Sequence, residues 1–153
     1  GYEHRNIGLE RDAEKGTIST NPENHQRMVL ARQAKIEQVA NQIPLLQVQG
    51  NPQSDTLLVG WGSTEGHLLA AAEQLDCALA HFNYINPLPK NTEEVLHRYK
   101  RIVVCELNSG QLAAYLRSKM EGLQLEQYNE MTAQPFSVDR IVKVINQASL
   151  QSN

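Results

Sequence analysis

TLLVGWGSTEGHLLAAAEQLDCALAHFNY, residues Thr56 to Tyr84, changes its apolar period twice within one stretch. Thr56 to Gly60 is a continuous apolar run, the mark of a strand buried on both faces. Leu68, Leu69, Ala72 and Leu75 then stripe one side of a helix, and Ala78 to Tyr84 is a second apolar run. Strand, helix and strand in that order make a βαβ unit, because parallel neighbours need a crossover. Downstream, Val95, Leu96 and Tyr99 stripe a short helix and Ile102 to Cys105 forms another buried strand. Leu112, Ala113, Leu116 and Met120 stripe a further helix, Leu123 to Tyr128 reads as a last strand, and Val138, Ile141, Val142 and Ile145 form a closing helix after Ser137. Upstream, Leu45 to Val48 is a candidate short strand, with a turn at Gly50-Asn51-Pro52. The alternation predicts an α/β protein, a three-layer α/β/α sandwich on a mostly parallel sheet of about five strands.

Residues 1–20 are polar and carry no apolar period, which predicts a linker or surface arm coming from a missing upstream domain. The opening Gly1-Tyr2-Glu3-His4 suggests an excised segment or a processed terminus. The α/β domain is expected over residues 21–153. Its first helix starts at Asn21-Pro22-Glu23, where Asn accepts from free N–H groups, Pro suits the first turn and Glu complements the dipole. Met28, Ile36, Val39 and Ile43 share one face of that otherwise polar helix, which ends before Pro44 and is expected to pack along a surface.

The chain has 153 residues, enough for one domain with a sizeable core. Hydrophobic residues at 41% and charged residues at 20% match folded rather than disordered chains. A net charge of -3 gives no footprint for nucleic acid. No apolar run approaches a bilayer span and no signal peptide opens the chain, so the expectation is a cytoplasmic protein with neither a membrane nor a nucleic-acid partner. Two cysteines, Cys77 and Cys105, exclude a disulfide framework and read as inert core thiols.

Three loops follow apolar runs: Trp61-Gly62-Ser63-Thr64, Asn86-Pro87-Leu88-Pro89, and Glu106 to Leu112 with Asn108, Gly110 and Gln111. Strand carboxyl ends in an open α/β sheet share an edge, where ligands or partner domains are met. Gly60-x-Gly62-x-x-x-Gly66 has the wrong spacing for a dinucleotide fingerprint, and the next strand ends His81-Phe82-Asn83 without a ribose-binding acid. A tight turn with Ser63 or Thr64 capping the helix accounts for it better. Trp61 is either a docking anchor or buried within the domain. Ser63 and His67 sit four apart, but no carboxylate is placed to orient the histidine. The other histidines, His4, His25, His81 and His97, show no metal-ligand spacing and read as surface or core residues. Asn86 to Pro89 is a rigid strand exit that presents Asn86 and Leu88, with a cis bond open at either proline. Asn108 or Ser109 is expected to cap the following helix, with Glu106, Asn108 and Gln111 projecting from the edge. The residues therefore assign no catalytic, cofactor-binding or metal site to this chain, and the edge reads as a docking surface.

Gly8-Leu9-Glu10, Asn21-Pro22-Glu23-Asn24-His25, Gly60 to Thr64, Asn86 to Asn91 and Glu106 to Leu112 together resemble the alpha subunit of 2-oxoacid:ferredoxin oxidoreductases, nearest the 2-oxoglutarate (2-ketoglutarate) type. The resemblance runs over essentially the whole chain; Arg11 departs from it, standing where many relatives carry His. It implies a transketolase C-terminal domain-like fold lying after a pyrimidine-side thiamine domain in the same subunit. It also implies an enzyme complex that converts a 2-oxoacid and coenzyme A to acyl-CoA and CO2, passing electrons to ferredoxin. Thiamine diphosphate, Mg2+ and an iron–sulfur cluster are implied for that complex and none for this chain, whose implied partners are the thiamine domain, the beta subunit and, through the complex, ferredoxin. The resulting expectation is docking of domains and subunits, inactive in isolation. Two alternatives stay open: a free-standing nucleotide or small-ligand module using the Gly60 to Gly66 turn, and the equivalent domain of another thiamine enzyme.

Overall fold

The computed structural model describes residues 8–150, so the reading of Gly1 to His4 as a processed end lies outside the described residues. Two compact units divide between Ile43 and Pro44. The first helix, α1 (Pro22–Val39), lies in the first unit and has no buried residue.

In the first unit the arm does not run extended: Arg11 and Ile18 form an antiparallel bridge. Glu10 ties it together, accepting from both guanidinium nitrogens of Arg32 at 3.2 and 3.1 Å and facing His25 Nδ1 at 2.9 Å. Hydrogen bonds from Arg32 and from the Arg11 N–H hold the Glu10 carboxyl down at about 2. The Arg11 guanidinium donates to the Gly16 carbonyl at 3.1 Å. As its sequence predicts, α1 starts with Asn21 Oδ1 accepting the Asn24 N–H at 2.8 Å and Pro22 in the first turn.

The second unit is the expected sandwich. Its strands are β1 (Val48–Gly50), β2 (Thr56–Trp61), β3 (Ala78–Phe82), β4 (Arg101–Glu106) and β5 (Glu126–Asn129), in the spatial order β1-β3-β2-β4-β5. β3, β2, β4 and β5 run parallel, and β1 pairs antiparallel with β3 at one edge, Gln49 opposite Leu79. The helices are α2 (Glu65–Leu75), α3 (Thr92–Leu96), α4 (Gln111–Lys119) and α5 (Val138–Leu150).

Strand alternation sorts side chains into two cores. Leu57, Val59, Ala80, Phe82 and Val104 pack with Leu96 of α3 and Leu112 and Leu116 of α4. Leu58, Leu79, Val103 and Cys105 pack with Leu68 and Ala72 of α2 and Ile141 and Ile145 of α5. Each face of the sheet is thus covered by a pair of helices, which lets the inner strands be apolar on both sides.

β1 lies further along than Leu45 to Val48. The Leu46 N–H donates to Asn91 Oδ1 at 2.8 Å and its carbonyl accepts from Asn91 Nδ2 at 3.0 Å. A side chain therefore satisfies the backbone where the sequence predicts a ladder. At β1's end Gly50 has φ +73°, and a Cβ there would lie 2.5 Å from the Cys77 carbonyl oxygen, so only glycine lets this edge close on the start of β3.

Candidate functional site

β2 and β4 are neighbours, yet the helices that follow them cover opposite faces, α2 with Leu68 on one and α4 with Leu112 on the other. Their carboxyl ends must therefore part, opening a crevice at the topological switch point. A cavity of about 300 Å³ lies there, lined by Trp61, Gly62, Ser63, Thr64, Leu107 and Asn108. A second, of about 330 Å³, adjoins it between Ser63, His67, Leu107 and Phe136.

Glu106 organises this end of the sheet. It is fully buried at the end of β4 and points to the α4 side, correcting the expectation that it projects from the edge. Its carboxylate accepts the backbone N–H groups of Leu112 at 2.7 Å and Ala113 at 3.1 Å, which are free donors of α4's first turn. It also accepts from Asn108 Nδ2 at 3.2 Å and from the Trp61 indole N–H at 3.4 Å. A buried anion at a helix N-terminus, met by several donors, is a stable arrangement.

The expected caps are replaced accordingly. Asn108 Oδ1 accepts the N–H groups of Gly110 and Gln111 at 2.8 and 2.9 Å, shaping the turn, while Gly110 occupies the cap position at φ +96°. Neither Ser63 nor Thr64 caps α2: Thr64 is buried and its hydroxyl donates to the Trp61 carbonyl at 2.9 Å, closing a 3-10 turn over Gly62–Thr64. Gly60 is the close approach of strand to helix, since a Cβ there would lie 2.2 Å from Leu68 Cδ1. The glycine pattern is thereby explained without a phosphate, and Glu65 in α2's first turn sets a negative charge where a phosphate would need a positive end.

Trp61 resolves into both of its readings: half-buried against the α3–α4 core, it still forms a wall of the crevice. Ser63 and Gln111 are exposed and Gly62 is open to solvent. The Asn86 to Pro89 loop, after β3, lines neither of these cavities. Its Asn86–Pro87 bond is cis, Asn86 is exposed, Leu88 packs half-buried against the core, and Pro89 is buried with its carbonyl accepting from the Thr92 hydroxyl at 2.6 Å. The structure thus brings the first and third loops together. Gln134 and Pro135, beyond β5, join the site although sequence reading passed over them. A parallel last strand places its following loop on the same edge, which was the available signal.

Among the described residues no three His, Cys, Asp or Glu side chains converge as metal ligands. Burial pushes the Cys77 and Cys105 thiols up, to about 11 and about 12. Among the described residues, Glu106 is committed to α4 and burial keeps both thiols protonated, so neither supplies a donor set for a diphosphate-bound Mg2+ or an iron–sulfur cluster. No described helix is long and apolar enough to cross a membrane.

No protein-family model matches the chain. It is 40% identical over 97% of its length to 2-oxoglutarate oxidoreductase subunit KorA of Mycobacterium tuberculosis, covering 23% of that protein. It matches about a quarter of a 2-oxoacid:ferredoxin oxidoreductase alpha subunit. A second such relative, 2-oxoacid:ferredoxin oxidoreductase 1 subunit alpha of Aeropyrum pernix, is 30% identical over 89% of the chain, again with 23% of the relative covered. In structure the chain is similar to 2-oxoglutarate:ferredoxin oxidoreductase from Magnetococcus marinus, solved with 2-oxoglutarate, coenzyme A and succinyl-CoA bound. That match has a TM-score of 0.82 at 25% identity, over 95% of this chain and 26% of the solved one. The chain thus spans about a quarter of the length of the relatives it matches.

Proposed function

We propose that the chain acts as the transketolase-C-terminal-like docking domain of a 2-oxoglutarate:ferredoxin oxidoreductase alpha subunit, in a cytoplasmic complex. The observation that carries this reading is the switch-point crevice, in which Trp61, Ser63 and Asn108 are held ready around the buried Glu106. Preordered loops lose little freedom on contact, which suits them to binding a neighbouring domain. The surface it would meet is the pyrimidine-side thiamine domain of the same subunit or the beta subunit. The complex would convert 2-oxoglutarate and coenzyme A to succinyl-CoA and CO2 and reduce ferredoxin. Thiamine diphosphate with Mg2+ would supply the decarboxylation chemistry, and an iron–sulfur cluster the electron path, both on residues outside this chain. A free-standing nucleotide module is the weaker reading, because Glu65 opposes an anion at the start of α2.

The test uses the intact alpha subunit with its beta subunit. Trp61→Ala, Leu88→Ala and Gln111→Ala should each weaken assembly or lower turnover. Unchanged assembly and turnover in all three would refute the docking role.

A further inference from the structure

A second polar site lies away from the switch point, at the β1 edge. It is a cavity of about 240 Å³ whose walls include Leu45, Gln49, Glu65, His81, Tyr84 and Pro89. His81 is the only polar side chain on the wholly buried strand β3, and strand alternation puts it on the α2 side, beside Leu79. Its side chain is 2% exposed, and neither ring nitrogen has a partner at good hydrogen-bond geometry among the described residues, although Asn83 and the backbone of Trp61 and Gly62 also act on the ring. Buried polar atoms are normally paired, and an unpaired one costs on the order of 1–3 kcal/mol. The cavity is the side from which a further donor reaches the imidazole.

The surroundings narrow what it is. The nearest charge is Glu65, whose Oε2 lies 3.8 Å from His81 Nδ1 and whose Oε1 accepts from Gln49 Nε2 at 3.0 Å. Glu65 is half exposed and carries no cationic partner among its contacts. Burial lowers the His81 pKa, so the ring is neutral and offers an acceptor. Tyr84 stands 46% exposed at the mouth, an aromatic face of the kind cations approach. The volume falls below the roughly 300–1,000 Å³ of pockets that enclose whole ligands, and suits one side chain.

We infer that this pocket receives a guanidinium side chain from a neighbouring polypeptide, the group donating to the Glu65 carboxylate and the His81 ring while its stem lies along Leu45 and Pro89. Arginine fits because its rigid fork presents several donors and no acceptor, matching an acid beside a neutral imidazole. An anion would be repelled by Glu65. The source of the side chain rests on the docking reading above; the pocket's chemistry does not.

The chain itself, with isotopically labelled histidines, is titrated with ethylguanidinium against matched sodium chloride and observed by NMR. Saturable shifts of the His81 ring, absent from His67 and His97, are expected, and Glu65→Gln should weaken them about fivefold. His81 signals that stay still, move equally in Glu65→Gln, or respond to acetate instead would overturn the site, the first being the outcome for a pocket holding only solvent. Glu65→Gln and Trp61→Ala are then compared in the intact complex. Weakened assembly in the former alone supports this pocket while counting against the switch-point loops. Weakened assembly in Trp61→Ala alone overturns the neighbouring polypeptide as the source.

Discussion

Replacing Glu106 by glutamine changes one atom of the site and removes a buried charge. Glutamine keeps one acceptor oxygen, which can serve the Leu112 N–H at 2.7 Å, but it turns an amide donor toward the Ala113 N–H at 3.1 Å. One charge-assisted bond is lost, worth about 1.5–3 kcal/mol, and the other falls to a neutral one, a further loss of about 1 kcal/mol. The favourable contact with the α4 dipole, about 0.3–1 kcal/mol, disappears as well. The total is about 3–5 kcal/mol, a large fraction of the roughly 5–15 kcal/mol by which domains are stable. With a urea slope of about 2 kcal/mol per molar, the unfolding midpoint should fall by about 1.5–2.5 M. The assay is urea unfolding followed by fluorescence of the chain's single tryptophan, Trp61, whose indole N–H reaches the same carboxylate. Circular dichroism run in parallel reports the helices. A midpoint shift under about 0.5 M, or under about 1 kcal/mol, would refute the view that this carboxylate holds the crevice together.

Glycine substitutions should divide sharply. Gly50→Ala puts a Cβ 2.5 Å from the Cys77 carbonyl oxygen at φ +73°, whereas Gly62, at φ +66°, has nothing within 4 Å. Thermal unfolding should show Gly62→Ala costing about 1 kcal/mol and Gly50→Ala clearly more, and equal losses would contradict the packing described. The thiols give a pH test: burial raises Cys77 to about 11 and Cys105 to about 12, so the folded chain keeps protons that the unfolded chain releases above about 8.5. Stability should be unaffected by these groups below that point and decline as pH rises toward 11, with alkylation by iodoacetamide at pH 8 occurring only on unfolding; rapid labelling of the folded chain would contradict it.

The βαβ core was legible because Leu57 to Val59 and Ala78 to Phe82 are buried on both faces, and such strands announce themselves as unbroken apolar runs. Strand order was not, since it depends on which face each helix chooses, and α2 and α4 carry similar stripes. Glu106 was misread as projecting because it opens a polar loop motif. Counting along β4 would have placed it inward: Ile102 and Val104 face the α4 side, and Glu106 is next in that register. His81 was passed over as one histidine among several, though it was the lone polar residue in an apolar strand. The β1 bounds shifted because Asn91 supplies strand-like hydrogen bonds from 45 positions away, a partner no local pattern shows.

The shortness of the two outer strands has a consequence for crowding. β1 has three residues and ends at Gly50, followed by Pro52, which has no N–H to offer; β5 has four, with Glu126, Gln127 and Asn129 exposed. Outer strands are where sheets recruit foreign strands and grow into aggregates. Here one border stops at a residue that cannot extend a ladder, and the other is polar and brief. Copies of this unit held at high local concentration would therefore have little backbone to zip together, so association is left to side chains.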